Sequence, residues 1–186
     1  SPSRYAIMTG NYNYRSYAPW GVWGTFRPTA ITAEDATLGL VAKRGGYRTG
    51  FIGKWHLGGD FYHKGSKTIY RGDDRGNVPL DVDMTRWIAA GPQDMGFDYD
   101  YTLPTGVQGP IYLAFENGEW APFNKKSKLI HYDQVTAKDP LFVSDKGLGP
   151  GDSEWDCYEI NKILAAKAAG FIKSSAKGRD PFFLCY

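Results

Sequence analysis

Gly46-Tyr47-Arg48-Thr49-Gly50-Phe51-Ile52-Gly53-Lys54-Trp55-His56-Leu57-Gly58 is the stretch that decides the fold. Thr49 to Ile52 reads as a short buried strand that breaks at Gly53. Lys54 and His56 then stand just past its end. Residues two apart on an extended chain point to one side, so a cation and an imidazole are expected to face one pocket together. The flanking glycines allow a sharp turn and the close approach of a ligand. Ligands of open α/β sheets bind beyond the carboxyl ends of strands, which is where these two side chains fall. On spacing alone, a strand followed by a glycine turn with a surface Lys and a half-buried His explains the pattern equally well.

Upstream, Thr32 to Arg44 reads as a helix. Thr32 and Asp35 make a capping-box-like start, and Leu38, Val41 and Ala42 form one apolar stripe. Lys43 and Arg44 suit its C-terminal end, and Gly45-Gly46 stops it. Helix and strand together predict an αβ unit of a layered α/β fold. The chain begins Ser1-Pro2-Ser3-Arg4-Tyr5-Ala6-Ile7-Met8-Thr9-Gly10, a short helix with Pro2 in its first turn. A residue preceding Ser1 would sit at that helix N-terminus, a place suited to anions, with Arg4 near enough to neutralise charge.

These two stretches resemble the two signature motifs of the type I, formylglycine-dependent sulfatases of the alkaline-phosphatase-like superfamily. The first signature runs C-x-P-S-R-x-x-x-x-T-G. Ser1 falls on its x, followed by Pro2, Ser3, Arg4, Thr9 and Gly10. The second is matched by Gly46, Tyr47, Thr49, Gly53, Lys54, Trp55 and His56. Gly91-Pro92-Gln93-Asp94-Met95-Gly96-Phe97-Asp98-Tyr99 is similar to a further run common in that family.

The resemblance implies a mixed α/β sheet flanked by helices, and an internal segment of a longer catalytic domain that occupies all of residues 1–186. It implies a sulfate-ester hydrolase whose formylglycine nucleophile stands immediately before Ser1, made by a formylglycine-generating or equivalent maturation enzyme. Arg4, Lys54 and His56 are the implied catalytic residues. Ca²⁺ is the implied metal, with ligands expected upstream of Ser1 and downstream of Tyr186 and none within the chain. The family's compartments are periplasmic, extracellular or lysosomal. Where family members often carry a sulfate-contacting Ser and a nearby Asp after Leu103-Pro104, this chain has Gly106 and Gln108, with Thr105 the nearest hydroxyl and the candidate substrate contact. Two other readings stay open: a phosphoester or phosphonate hydrolase of the same superfamily, and a non-catalytic glycan-binding protein on this scaffold.

Substrate class is read from aromatic residues. Asn11 to Gly24 is a loop rich in Tyr and Trp, either packed on the core or offered as stacking surface. Tyr14, Trp20 and Trp23 are the candidate sugar contacts, which favours a sulfated carbohydrate over a small aryl or steroid ester. His63, Lys64, Lys67, Arg71 and Arg75 give the following loop a cationic bias that could meet further sulfates. Asp73-Asp74 and Asp81/Asp83 lack the spacing of a calcium loop.

The remaining chain supplies scaffold. Pro110 to Phe115 reads as a strand turning at Glu116-Asn117-Gly118, and Asn124 to Gly151 as a polar connection. A helix is expected from Asp152 or Ser153 to about Lys173, with Ile160, Ile163, Leu164, Ala168, Phe171 and Ile172 on one stripe. Pro181 to Tyr186 reads as a parallel strand. A net charge of +2 over 186 residues argues against a nucleic-acid partner. No apolar run is long enough to span a membrane. Cys157 and Cys185 form neither a disulfide framework nor a metal-site spacing.

Overall fold

The computed structural model describes residues 1–15, 22–72, 81–107, 110–132 and 148–186. Trp20, Asp73, Asp74, Arg75 and Gln108 lie outside them. Three helices, α1 (Pro2–Thr9), α2 (Leu38–Arg44) and α3 (Ile160–Ser175), flank a mixed sheet. Its strands are β1 (Arg48–Lys54), β2 (Tyr99–Leu103), β3 (Phe115–Glu116), β4 (Glu119–Trp120) and β7 (Phe182–Cys185), in the order β4-β3-β2-β1-β7. β1 is an interior strand and runs parallel to β2 and β7, while β3 and β4 add antiparallel at one edge. The hairpin between β3 and β4 turns on Asn117 and Gly118, both at positive φ, the Asn-Gly chemistry of a two-residue turn.

β1 is covered on both faces, which is why its sequence is apolar without alternation. Phe51 and Trp55 enter a cluster with Tyr5, Met8, Trp23, Phe26 and Phe97 beneath α1 and α2. Ile52 joins Tyr101, Leu103, Ile160, Leu164 and Phe171 beneath α3. Gly50 permits that second contact, since a Cβ there would stand 2.8 Å from the Phe171 ring. Thr49 fastens β1 to the turn before β2. Its hydroxyl donates to the Gly96 carbonyl (2.7 Å), and its amide donates to the Asp98 carboxylate (3.1 Å).

Several elements differ from their expected bounds. The helix expected from Thr32 begins at Leu38. Asp35 accepts from the Thr32 amide (2.7 Å) and hydroxyl (3.1 Å), which closes a separate turn, and Thr37 caps the helix by accepting from the Leu40 amide (3.2 Å). Its buried face is Gly39, set against Met95 and Phe97, while Leu38 and Val41 are exposed. α3 likewise starts late. Asp152 is buried in a strand, accepting from the Phe123 and Glu154 amides (2.9 Å each), and Asp156 holds the turn before the helix by accepting from the Tyr158 amide (2.8 Å).

Of the expected 110–115 strand only Phe115 joins the main sheet, together with Glu116 from the expected turn. Tyr112 instead bridges to a second, two-stranded sheet of β5 (Leu129–Tyr132) and β6 (Gly149–Asp152), which falls almost wholly in the stretch read as a polar connection. Gly149-Pro150-Gly151 has poor strand propensity. Close packing demands the glycines: a Cβ at Gly151 would stand 2.5 Å from the Tyr132 ring and 3.0 Å from Tyr112 Cβ.

One buried charge in the sheet carries a prediction. Asp100 on β2 is 3% exposed and accepts from the Thr102 hydroxyl (2.8 Å). Burial pushes its pKa up to about 6; hydrogen bonds from Thr102 and Gln93 oppose the shift, and nearby Glu116 adds to it. In an unfolded chain the same carboxyl titrates near pH 4 (roughly). Folding therefore takes up a proton between about pH 4 and pH 6, and stability falls as pH rises through that window. Asp100→Asn is expected to flatten that slope and to raise neutral-pH stability by up to about 2–3 kcal/mol. Urea melts at the two ends of the window check it; equal shifts at both ends contradict it.

Candidate active site

The site lies where β1 ends and α1 begins. Ser1 precedes the helix, and its side chain makes no cap. Instead its hydroxyl donates to the His56 carbonyl (2.8 Å) and accepts from the Trp23 amide (2.9 Å). Arg4 Nε donates to the Lys54 carbonyl (3.0 Å). Two separate bonds thus hold the helix N-terminus against the turn after β1. The Pro2–Thr9 helix directs its positive end toward Ser1, adding to the charges of Arg4 and Lys54.

The electrostatics at Ser1 register this convergence. Arg4 and Lys54 both bring positive charge to the Ser1 backbone nitrogen, at a partly buried point. Those two charges favour an anion over a cation at this point, while burial works against either charge. Burial also pushes the Arg4 guanidinium down, although guanidinium stays protonated throughout the accessible range. Cys185, half-buried at the end of β7, lies beside Arg4. Burial pushes its thiol up and the Arg4 charge pulls it back.

Lys54 and His56 reach the site by a different route from the expected one. β1 ends at Lys54, and His56 adopts φ 56°, so the extended two-residue repeat does not continue. The left-handed conformation is uncommon for a non-glycine residue and costs about 1 kcal/mol or more, a cost that persists only where neighbours impose it. Those neighbours are visible. The amides of Trp55 and His56 donate to the Leu103 and Pro104 carbonyls (3.0 Å each). Trp55 drives its ring into the core at 1% exposure and donates its indole N–H to the Gly58 carbonyl (3.2 Å). Gly58 has φ 89°, and any Cβ there would strike the Arg27 and Pro28 carbonyls at 2.7 and 2.8 Å. Trp55 is therefore the anchor that leaves Lys54 and His56 half-buried on either side.

The candidate substrate contacts divide. Thr105 is buried and donates its hydroxyl to the Ile111 carbonyl (3.3 Å), so it fastens its own loop. Trp23 is 5% exposed, packs with Phe26 and Trp55 in the core cluster, and donates its indole N–H to the Pro28 carbonyl (2.8 Å). No ring face remains for a sugar, which corrects the stacking role expected of it. Tyr14 is 58% exposed and stacks on Tyr12 at 5.3 Å, with the Arg15 guanidinium 5.8 Å from its ring centre. This pair stands past the far end of α1 from Ser1. In the cationic loop, His63 pairs with Asp81 (2.7 Å) and Arg71 with Asp60 (2.5 Å), while Lys64 and Lys67 are exposed.

Sequence reasoning passed over two residues here. The Ser1 hydroxyl stitches three segments together, yet it occupies the position that the signature leaves free. Gly106, noted only as a departure, is buried against the Lys54 side chain.

With this arrangement established, comparison with known proteins assigns the family. The sulfatase family model matches residues 1–186. The chain belongs to the sulfatase family. An N-acetylgalactosamine-6-O-sulfatase of Bacteroides thetaiotaomicron is 25% identical over 211 residues, covering 99% of this chain and 37% of that protein. Human steryl-sulfatase is 44% identical over 63 residues, which are 31% of this chain and 11% of that protein. Human arylsulfatase G is 38% identical over 88 residues, 45% of this chain and 15% of that protein. The fold is shared with a solved B. thetaiotaomicron structure described under the metabolism of multiple glycosaminoglycans. It has a TM-score of 0.67 and 23% identity, covering 99% of this chain and 39% of that one. This sulfatase chain thus spans well under half of each of these relatives. Among the described residues, no group of three or more His, Cys, Asp or Glu side chains is placed to hold a metal ion, and no helix is long and apolar enough to cross a membrane.

Proposed function

We propose that this chain supplies one wall of the active site of a sulfatase that hydrolyses sulfate esters of carbohydrate. The observation that carries the reading is the cationic focus at Ser1, where Arg4, bonded to the Lys54 carbonyl, and the Lys54 charge meet the N-terminal end of α1. Such a site suits an anionic ester and the nucleophile that attacks it. The residues fit a formylglycine preceding Ser1: the position lies at a helix N-terminus, with the Ser1 hydroxyl clamped to the His56 turn. When present, that group supplies a hydrated aldehyde as nucleophile. A divalent cation, Ca²⁺ in the family at large, has no donor set among the described residues, so no step is drawn through it.

The chain's own residues do the following. Arg4 and Lys54 place fixed positive charge where sulfate oxygens gather negative charge in the transition state, without reorganising. His56, held by its backbone on both sides, presents an imidazole that can give or take a proton at the nucleophile or leaving oxygen. Trp55 excludes water from beneath.

A carbohydrate ester is favoured by the B. thetaiotaomicron relative, whose name specifies N-acetylgalactosamine-6-O-sulfate chemistry and which aligns over nearly the whole chain. The exposed Tyr14, with Arg15 beside it, is the remaining aromatic sugar contact proposed here. We place the enzyme in a periplasmic, extracellular or lysosomal compartment, after maturation by a formylglycine-generating or equivalent enzyme. The test is a panel of sulfated oligosaccharides, an aryl sulfate and an aryl phosphate offered to the full-length protein. Release of sulfate from a glycan above all others is expected. Preferential phosphate release returns the superfamily alternative, and glycan binding without turnover returns the non-catalytic one.

A further inference from the structure

Lys54 does not extend into open space. Its stem lies along the backbone at Gly106: a Cβ built there would stand 2.8 Å from Lys54 Cδ, 3.5 Å from Cε and 3.6 Å from Cγ. The last three carbons of the side chain therefore cross the glycine, and a methyl group would have to displace them. Gly106 also adopts φ 106°, which L side chains rarely occupy. The backbone conformation favours glycine here, and the lysine stem occupies the space that a side chain would take.

The ledge beneath the lysine is itself fixed. It continues β2, and its Leu103 and Pro104 carbonyls accept from the Trp55 and His56 amides at 3.0 Å. Thr105 ties it to the Ile111 carbonyl (3.3 Å), and residues 103–106 are all buried. A lysine carries more rotamer freedom than most side chains, and a flexible ammonium is a poor fixed charge. Lying on a buried, hydrogen-bonded backbone restricts that freedom before a ligand arrives.

We propose that Gly106 is a positioning residue: by lacking a side chain, it lets the 103–106 ledge aim the Lys54 ammonium at the anion site beside Ser1. This rests on the reading of Lys54 as a contact to the reacting anion. It also gives the glycine a task of its own, since its loop serves Lys54 by shape and His56 through the Pro104 carbonyl.

The experiment is a double-mutant cycle in the full-length enzyme. Gly106→Ala is made alone and in a Lys54→Ala background, with kcat and KM measured on one sulfate ester and thermal unfolding on each variant. Gly106→Ala is expected to lower kcat by about 10- to 100-fold, with a smaller change in KM, because a misplaced charge is felt most in the transition state. In the Lys54→Ala background the same change is expected to cost at least about fivefold less, because the residue it acts through is gone and only backbone strain remains. Equal losses in both backgrounds overturn the proposal and leave only backbone strain at a positive φ. Undiminished turnover by Gly106→Ala, with Lys54→Ala impaired, overturns it also. Full activity in Lys54→Ala overturns the reading of the site, and this inference with it.

Lys54→Arg gives an arm that leaves the loop untouched, in case Gly106→Ala fails to fold. Arginine keeps the charge, but its planar head cannot follow the same path over the glycine. It is expected to recover less than about a tenth of wild-type turnover. Near-complete recovery would mean that charge alone suffices, and would overturn the positioning role.

Discussion

Replacing Lys54 or His56 by alanine is expected to lower turnover of a sulfate ester by about 100- to 1000-fold each, the usual cost of one lost donor aimed at a reacting anion. The two losses should differ in character. Lys54 provides charge, so its removal should lower kcat across the whole pH range, and salt should do little to mimic it at a half-buried site. His56 is proposed to pass a proton, so its removal should alter the shape of the pH–rate profile as well as its height. Both side chains are half-buried and project beside the core, so the folded state should survive, with stability changes within about 1 kcal/mol. Steady-state kinetics over pH, with denaturant melts as a control, reads all of this. Activity within about threefold of wild type in both variants would return the Lys and His to the surface of an ordinary glycine turn.

Trp55→Ala should fail in the opposite way. Its ring is 1% exposed, meets Phe51 edge-on at 5.3 Å, and shares a cluster with Trp23, Phe26 and Leu57. Truncating a buried aromatic of this size costs about 3–5 kcal/mol. Total stability of a domain is only about 5–15 kcal/mol, so the variant should be marginal. It also loses the indole bond to Gly58 that closes the turn carrying His56. The denaturation midpoint should fall steeply with little change in slope. A midpoint near that of wild type would show that the turn holds without its anchor.

The contrast between neighbouring residues shows what was legible in the sequence. β1 was readable because Thr49 to Ile52 is apolar on both faces, a pattern that only a covered central strand sustains. The Asn117-Gly118 turn and the Gly45-Gly46 helix stop follow from backbone chemistry local to those residues. Arg4 and the Lys54–His56 pair were identified by motif, and the structure joins them through bonds to the Lys54 and His56 carbonyls. Neither bond has a local sequence signal, because each spans 50 residues or more.

The failures have the same origin. Thr32 and Asp35 satisfy each other in a turn of their own, which local pattern cannot distinguish from the start of a helix. β6 is Gly-Pro-Gly-Asp, chosen by the rings of Tyr112 and Tyr132 that lean on it and not by strand propensity. Trp23 was weighed as a sugar platform because an aromatic loop has two uses. The Ser1 hydroxyl, which accepts from the Trp23 amide, and the Pro28 carbonyl, which accepts from its indole, decide for packing.

A nucleophile held at the cationic focus in front of Ser1 is central to the proposed chemistry, and one measurement addresses it most directly. Peptide mass spectrometry of the full-length protein, across the junction that includes Pro2-Ser3-Arg4, reads the residue preceding Ser1 and its chemical state. The expected residue is a formylglycine derived from Cys or Ser, trapped as a hydrazone by an aldehyde-reactive probe. A residue of any other kind at that position, or an active preparation in which it is wholly unconverted, would contradict it.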